Sequence, residues 1–178
     1  MSGEIEKSTN SLTSPDSPHP FEPIVFRRVA PEDRDAIFQY FESMSEATKA
    51  IFLGAPFNYE EATRLTDDEL KNETVRKFLV RVSGSEAVVG MVWFWAWDRK
   101  VPWFGISITD AYQGKGLGGK MMEFAIGEAK QAGKGGILLT TAKSNLRGQA
   151  LYKRYGYEII GEATQPKGEH LMILNFPD

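Results

Sequence analysis

The segment Thr109-Asp110-Ala111-Tyr112-Gln113-Gly114-Lys115-Gly116-Leu117-Gly118-Gly119-Lys120 constrains this chain more than any other. Strand-like residues, Val101 to Thr109, run into it. Leu117, Met121, Ala125 and Ala129 run out of it at i+4 steps, the spacing of one helix face. A strand-to-helix junction presents backbone N–H groups and the positive end of a helix dipole to an anion. Glycines let the backbone approach phosphate oxygens without a Cβ in the way. Glycine inside a helix costs about 1 kcal/mol, so a flexible turn alone does not account for this run.

Two nucleotide-binding patterns fit the glycines and fail where the chemistry is done. Gly114, Gly116 and Gly119 have the spacing G-x-G-x-x-G, but that fingerprint needs an acid at the end of the next strand, which here ends in Thr140-Thr141. It also wants its strand near the start of the domain, and this loop lies late. Gly114, Gly119 and Lys120 fit most of a Walker A loop, yet the hydroxyl residue that would hold magnesium is replaced by Met121. The next strand also lacks the carboxylate of a second magnesium contact.

Composition removes further chemistries. The 178 residues contain no cysteine and two histidines, His19 and His170. A thiol nucleophile, a disulfide framework and a Cys/His zinc cluster are therefore excluded, and no metal site is expected. A net charge of −3 argues against a nucleic-acid partner. No apolar run is long enough to span a bilayer, so no membrane partner is expected. The polar N-terminus without a secretory pattern leads to a cytoplasmic expectation.

Along the chain, residues 1–20 are rich in Ser, Pro and charge and read as a disordered tail. Residues 21–178 read as one α/β domain. Ile24 to Phe26 form a first strand. Val29 to Asp33 open a helix with an early Pro, and the stripe continues at Ile37, Tyr40 and Phe41. Helical stretches follow at Ser45 to Phe52, ending at Gly54-Ala55-Pro56, and at Tyr59 to Leu65. Val75 to Val82, Ala87 to Trp97 and Val101 to Thr109 read as an antiparallel meander. After the glycine loop and its helix come a buried strand at Gly136 to Thr141 and a helix from Asn145 to Tyr155. Gly156 takes the left-handed cap, and two closing strands follow at Tyr157 to Ile160 and His170 to Phe176.

Gln113, Gly116 and Gly118 make a Gln-x-x-Gly-x-Gly pattern. Downstream lies Asn145-Leu146-Arg147-Gly148-Gln149-Ala150-Leu151-Tyr152-Lys153-Arg154-Tyr155-Gly156-Tyr157. Together these resemble the two cofactor segments of the GNAT superfamily of N-acetyltransferases, in which an Asn is followed by Ala-Leu-Tyr and then Gly-Tyr or Gly-Phe. The resemblance covers Phe21 to Phe176, and its specific part is Val101 to Tyr157. It implies a central, mostly antiparallel sheet with flanking helices, in which strand Val101–Thr109 is parallel to Ile137–Thr141 and splays from it.

The resemblance further implies acetyl-CoA as co-substrate, with acetyl transferred directly to a primary amine. Pantetheine would lie in the splay along Ile106, Ser107 and Ile108. Backbone N–H groups of Gln113, Gly114, Lys115, Gly116, Leu117, Gly118 and Gly119 would grip the pyrophosphate, with charge from Lys115 and Lys120. The N–H near Ile106 or Ser107 would steady the oxyanion, in a strand where family members often have a bulge, which Gly105 would permit. Tyr152 would donate to the leaving thiolate; otherwise it is a core ring packed with Tyr155. Asn145 would contact pantetheine or cap its own helix.

The carboxylate that family members often carry early in the strand before the glycine loop is replaced by Pro102. The base then falls to water or to Glu42, Glu46, Asp98 or His170, with no assignment. This departure motivates a second reading, a non-catalytic acyl-CoA-binding module. Trp93, Phe94, Trp95, Trp97, Trp103 and Phe104, with Phe52 and Phe57 opposite, suggest an acceptor amine on an apolar or aromatic body. A small molecule and a protein amine both remain open as acceptor, and the C-terminal edge strands allow a homodimer.

Overall fold

The computed structural model describes residues 23–52, 55–165 and 167–177, with only the backbone described at 69 and 70. The expected tail at 1–20 and Gly54 of the expected turn lie outside the described residues.

The chain runs β1 (Ile24–Arg28), a 3-10 turn (Pro31–Asp33), α1 (Arg34–Glu42), α2 (Glu46–Ala50), α3 (Tyr59–Lys71), β2 (Arg76–Val82) and β3 (Val88–Trp95). It continues with β4 (Trp103–Ile108), α4 (Leu117–Gln131), β5 (Gly136–Ala142), α5 (Leu146–Arg154), β6 (Glu158–Glu162) and β7 (Glu169–Asn175). Seven strands form one sheet in the order β1-β2-β3-β4-β5-β7-β6, antiparallel except between β4 and β5.

Strand alternation distributes the apolar residues to two cores. Phe78, Val80, Val92, Phe94 and Phe104 share a core with Leu117, Met121, Ala125 and Ala129 of α4, the i+4 stripe read from the sequence, and with Met122 beside it. On the other face, Leu79, Val88 and Met91 pack against Ile37, Tyr40, Phe41 and Met44 of the α1 region and Ala62 of α3. Of the tryptophan-rich run, Phe94, Trp97 and Phe104 are core residues, while Trp95 is half-exposed and stacks on Trp103 at 5.6 Å.

The third helix is longer than its apolar pattern indicates, reaching Lys71 rather than Leu65. Its extension is held by ion pairs at helical spacing, Arg64 with Glu61 and Asp68, and Lys71 with Asp67. The bulge that Gly105 would permit does not occur in the β3–β4 pairing. The β3–β4 register runs unbroken from Gly90↔Ile108 to Trp95↔Trp103, and the shifts fall in the β2–β3 and β6–β7 pairings. Gly105 serves another purpose: the Trp93 ring packs against it, and a Cβ there would sit 2.3 Å from Trp93 Cε2. The glycine is a close-approach site, not a bend.

The feature that positions the functional site is the single bridge between β4 and β5, Trp103 against Leu138. The Leu138 N–H reaches Pro102 C=O at 2.9 Å, and the two strands then separate. Strand β6 is an outer edge, with Ile159 and Ile160 exposed; the expectation of pairing between copies rests on this edge. Among the described residues, no helix is long and apolar enough to cross a membrane.

Candidate active site

The separation of β4 and β5 opens a cleft of about 350 Å³. Ile106, Ser107 and Ile108 form one wall; Asn145, Gly148, Leu151 and Tyr152 form the other. Gln113, Gly114, Gly116, Gly118 and Gly119 close one end. The two sequence segments, over thirty residues apart, thus meet at one opening.

Gly116 is the N-cap of α4 at φ 90°, a left-handed conformation that only glycine adopts without strain. Gly119 and Lys120 turn their N–H groups back to Gly116 C=O at 3.0 and 3.4 Å. Among the described residues, the preceding amides of Gly116, Leu117 and Gly118 meet no backbone acceptor. A Cβ on Gly118 would press Leu151 at 3.1 Å, and one on Gly119 would meet the Tyr155 hydroxyl at the same distance. The small residues therefore let α4 sit against α5 and keep the loop surface bare. These features suit a diphosphate: a helix N-terminus, a bare backbone, and Arg147 and Arg154 on the same rim.

The resemblance places charge from Lys115 and Lys120 beside this loop. Lys115 is exposed on the loop. Lys120 lies 3.9 Å from Glu123 and faces a separate hollow with Phe26 and Phe124. The Leu117 side chain is core, which leaves its N–H as the part that can serve the loop. Arg147 and Arg154 were missed because one falls in an unremarkable helical turn and the other in a basic helix end.

Gln113 is a cross-link. Its Nε2 donates to Ile108 C=O at 3.0 Å and to Thr48 Oγ1 at 3.1 Å, and its Oε1 accepts from Arg147 at 3.0 Å. Asp110 ties the same corner to α2, accepting from Ser45 N–H, Ser45 Oγ and Thr48 Oγ1 at 2.6–2.8 Å. Those hydrogen bonds, chiefly from Ser45, hold the Asp110 carboxyl down at about 2. Asn145 caps α5 through Gly148 N–H at 3.0 Å and donates to Thr141 Oγ1 at 3.1 Å, while still lining the cleft.

Tyr152 is buried on the cleft wall, its ring 5.8 Å from that of Tyr157 rather than paired with Tyr155. Burial, with a contribution from the negative charge of Glu169, pushes its hydroxyl up to about 12. At neutral pH it is a proton donor. Glu169 is itself a buried carboxylate at the start of β7, opposite Ala142 at the end of β5. No motif marks it; only strand pairing brings it to Tyr152.

A second cavity of about 380 Å³ lies on the α1–α3 side of the sheet. It and the cleft share Ser107 and Phe52, so the two meet at the middle of β4. Ser107 Oγ there accepts from Tyr40 Oη at 2.7 Å, a contact between buried groups. None of Glu42, Glu46, Asp98 and His170 lines either cavity. Among the described residues, no group of three His, Cys, Asp or Glu is placed to hold a metal ion.

The model of the acetyltransferase (GNAT) family matches residues 37–157. Streptothricin acetyltransferase of Streptomyces lavendulae is 26% identical over 104 residues, which is 55% of this chain and 55% of that protein. The chain therefore aligns with about half the length of that curated relative. Among solved structures, ribosomal-protein-S5-alanine acetyltransferase from Vibrio fischeri superposes at TM-score 0.77 with 19% identity, over 89% of this chain and 96% of that one. Spermidine N-acetyltransferase from Vibrio cholerae, in complex with CoA and spermine, superposes at 0.72 with 17% identity, over 85% and 95%. A glycine loop at the head of α4, a cleft where one parallel pair parts and a family model spanning most of the domain agree: this chain belongs to the GNAT family of acetyltransferases.

Proposed function

We propose that the protein transfers the acetyl group of acetyl-CoA to a primary amine by direct attack. The observation that supports this reading is that Tyr152 lines the same cleft as Ile106 to Ile108 and the glycine loop. Acetyl-CoA is a substrate here, consumed at each turnover. The amides of Gln113 to Gly119, with Arg147 and Arg154 nearby, hold its diphosphate. The edge of β4 left unpaired beyond Trp103 holds the pantetheine arm at Ile106, Ser107 and Ile108.

The neutral amine nitrogen forms a bond to the thioester carbon, and an N–H at Ile106 or Ser107 steadies the negative oxygen. The carbon–sulfur bond then breaks. Tyr152 donates a hydrogen bond or its proton to the departing sulfur, whose free thiol pKa is about 8.5. The proton lost by the nitrogen goes to water, since neither Pro102 nor the four polar candidates supply a base at the cleft. With no cysteine in the chain, no acyl-cysteine intermediate is formed.

Calorimetry with CoA, ATP and NAD, combined with a thiol-release assay over an amine panel, tests this reading. CoA binding with amine-dependent thiol release is expected. Binding without turnover on any amine identifies an acyl-CoA-binding module instead. Absence of CoA binding removes the reading altogether.

A further inference from the structure

The cavity beside the cleft has a chemistry of its own. Its walls are Phe41, Phe52, Phe57, Trp93 and Trp95, and its volume lies toward the small end of the range for small-molecule sites. The rings meet edge to face or tilted: Phe41 with Phe57 at 5.3 Å, Phe52 with Phe57 at 5.7 Å and Phe52 with Trp93 at 6.4 Å. The Trp93 ring packs against Gly105, so one wall of the cavity is an indole next to β4.

Among the described residues, four charged ones line the cavity, Glu61, Arg64, Asp68 and Lys77, two of each sign. Arg64 binds Glu61 at 2.5 Å and Asp68 at 2.6 Å. Lys77 lies 3.7 Å from Asp68 and donates to Leu65 C=O at 3.1 Å. Each carboxylate therefore already has a cation. A multiply charged amine would have to displace Arg64 or Lys77 to be matched, whereas an apolar ring gains by leaving water. The polar group at the junction with the cleft is Ser107. Its oxygen takes the Tyr40 hydrogen bond and retains a lone pair that can accept from an amine N–H.

We propose that the acceptor is a primary amine on a short arm from a flat, apolar ring, with the ring among Phe52, Phe57 and Trp93 and the nitrogen at Ser107. This deepens the acetyl-transfer reading and rests on it. Polyamines, aminoglycosides and protein amino termini are poorer acceptors because their charge or bulk finds no match in the cavity.

The test is kcat/KM at fixed acetyl-CoA for 2-phenylethylamine, tryptamine, spermidine, kanamycin and a hexapeptide with N-terminal alanine, with CoA affinity measured in parallel. The ring-bearing amines are expected to exceed the other three by roughly ten-fold or more. Arg64→Gln, which frees Glu61 and Asp68, is expected to raise the spermidine-to-phenylethylamine ratio by roughly ten-fold, with CoA affinity as the fold control. Preference for spermidine, kanamycin or the peptide overturns the ring-bearing acceptor and leaves acetyl transfer standing. An unchanged ratio in Arg64→Gln overturns the charge argument behind it. CoA binding without turnover on any amine, or no CoA binding, overturns the underlying reading and the acceptor with it.

Discussion

Tyr40 on α1 donates to Ser107 on β4 across 2.7 Å, joining residues 67 positions apart at the point where the cleft and the aromatic cavity meet. Burial pushes the Tyr40 hydroxyl far above its ordinary value, so it stays a donor. Tyr40→Phe removes that donor from a buried pair and is expected to cost about 1 to 3 kcal/mol. For a chain of this size that is a Tm drop of roughly 2 to 10 °C. A double-mutant cycle with Ser107→Ala checks the pairing; coupling near zero would show that the two groups act separately.

Tyr152→Phe is expected to lower kcat by about 10² or more, with acetyl-CoA affinity within about two-fold of the unmodified protein. The wild-type pH profile carries a second signature. The hydroxyl is needed protonated, and its pKa is raised from 10.0 to about 12, so the alkaline loss of kcat belongs near 12. A descending limb centred near pH 10 would show that burial does not raise the Tyr152 hydroxyl, while an unchanged kcat in Tyr152→Phe would remove Tyr152 from the donor role.

With no carboxylate in position at Pro102, the amine must arrive neutral. kcat/KM is then expected to rise with pH toward the amine's own pKa, about 10.4 for a lysine-like amine. An ascending limb that stays near pH 6 to 7 whichever amine is used would reveal an enzyme base.

Gly105→Ala forces a Cβ into the space of the Trp93 ring. Overpacking of this kind costs about 1 to 3 kcal/mol. The indole should turn into the aromatic cavity, raising KM for the amine more than KM for acetyl-CoA. Equal effects on both would show that the glycine serves the strand and not the cavity wall.

Asp110 holds α2 to the loop through Ser45 and Thr48, with its carboxyl lowered from 3.8 to about 2. A depressed folded-state pKa gives a contribution complete above 3.8 and lost as pH falls through 3.8 toward 2. Thermal midpoints of the wild type and Asp110→Asn should therefore converge across that window. A constant gap between them down to pH 2 would refute the linkage.

The elements that the sequence made legible are those marked by local rules. The i+4 stripe from Leu117 to Ala129 became α4, Gly156 took its left-handed φ of 90°, and the meander appeared with its expected strands. The sheet's parallel splay came from the resemblance, not from periodicity. At Gly105 the sequence shows a glycine but not whether it permits a bulge or admits a ring, and the structure shows the Trp93 ring there. The end of α3 runs past its apolar pattern because ion pairs at helical spacing, which the pattern does not count, tie residues of its last turns.

Spacing along the chain alone determined the glycine loop, the Ala-Leu-Tyr triplet at 150 to 152 and the absence of thiol and histidine-cluster chemistry, since these depend on neighbours or on composition. Tertiary structure decided the rest: that Glu169 sits by Tyr152, that Arg147 and Arg154 share the loop's rim, that Arg64 and Lys77 neutralise the acids of the aromatic cavity, and that Tyr40 finds Ser107. The physical reason is that hydrogen bonds and charges act over a few ångströms in space, and strand pairing brings together residues that no periodicity along the chain relates.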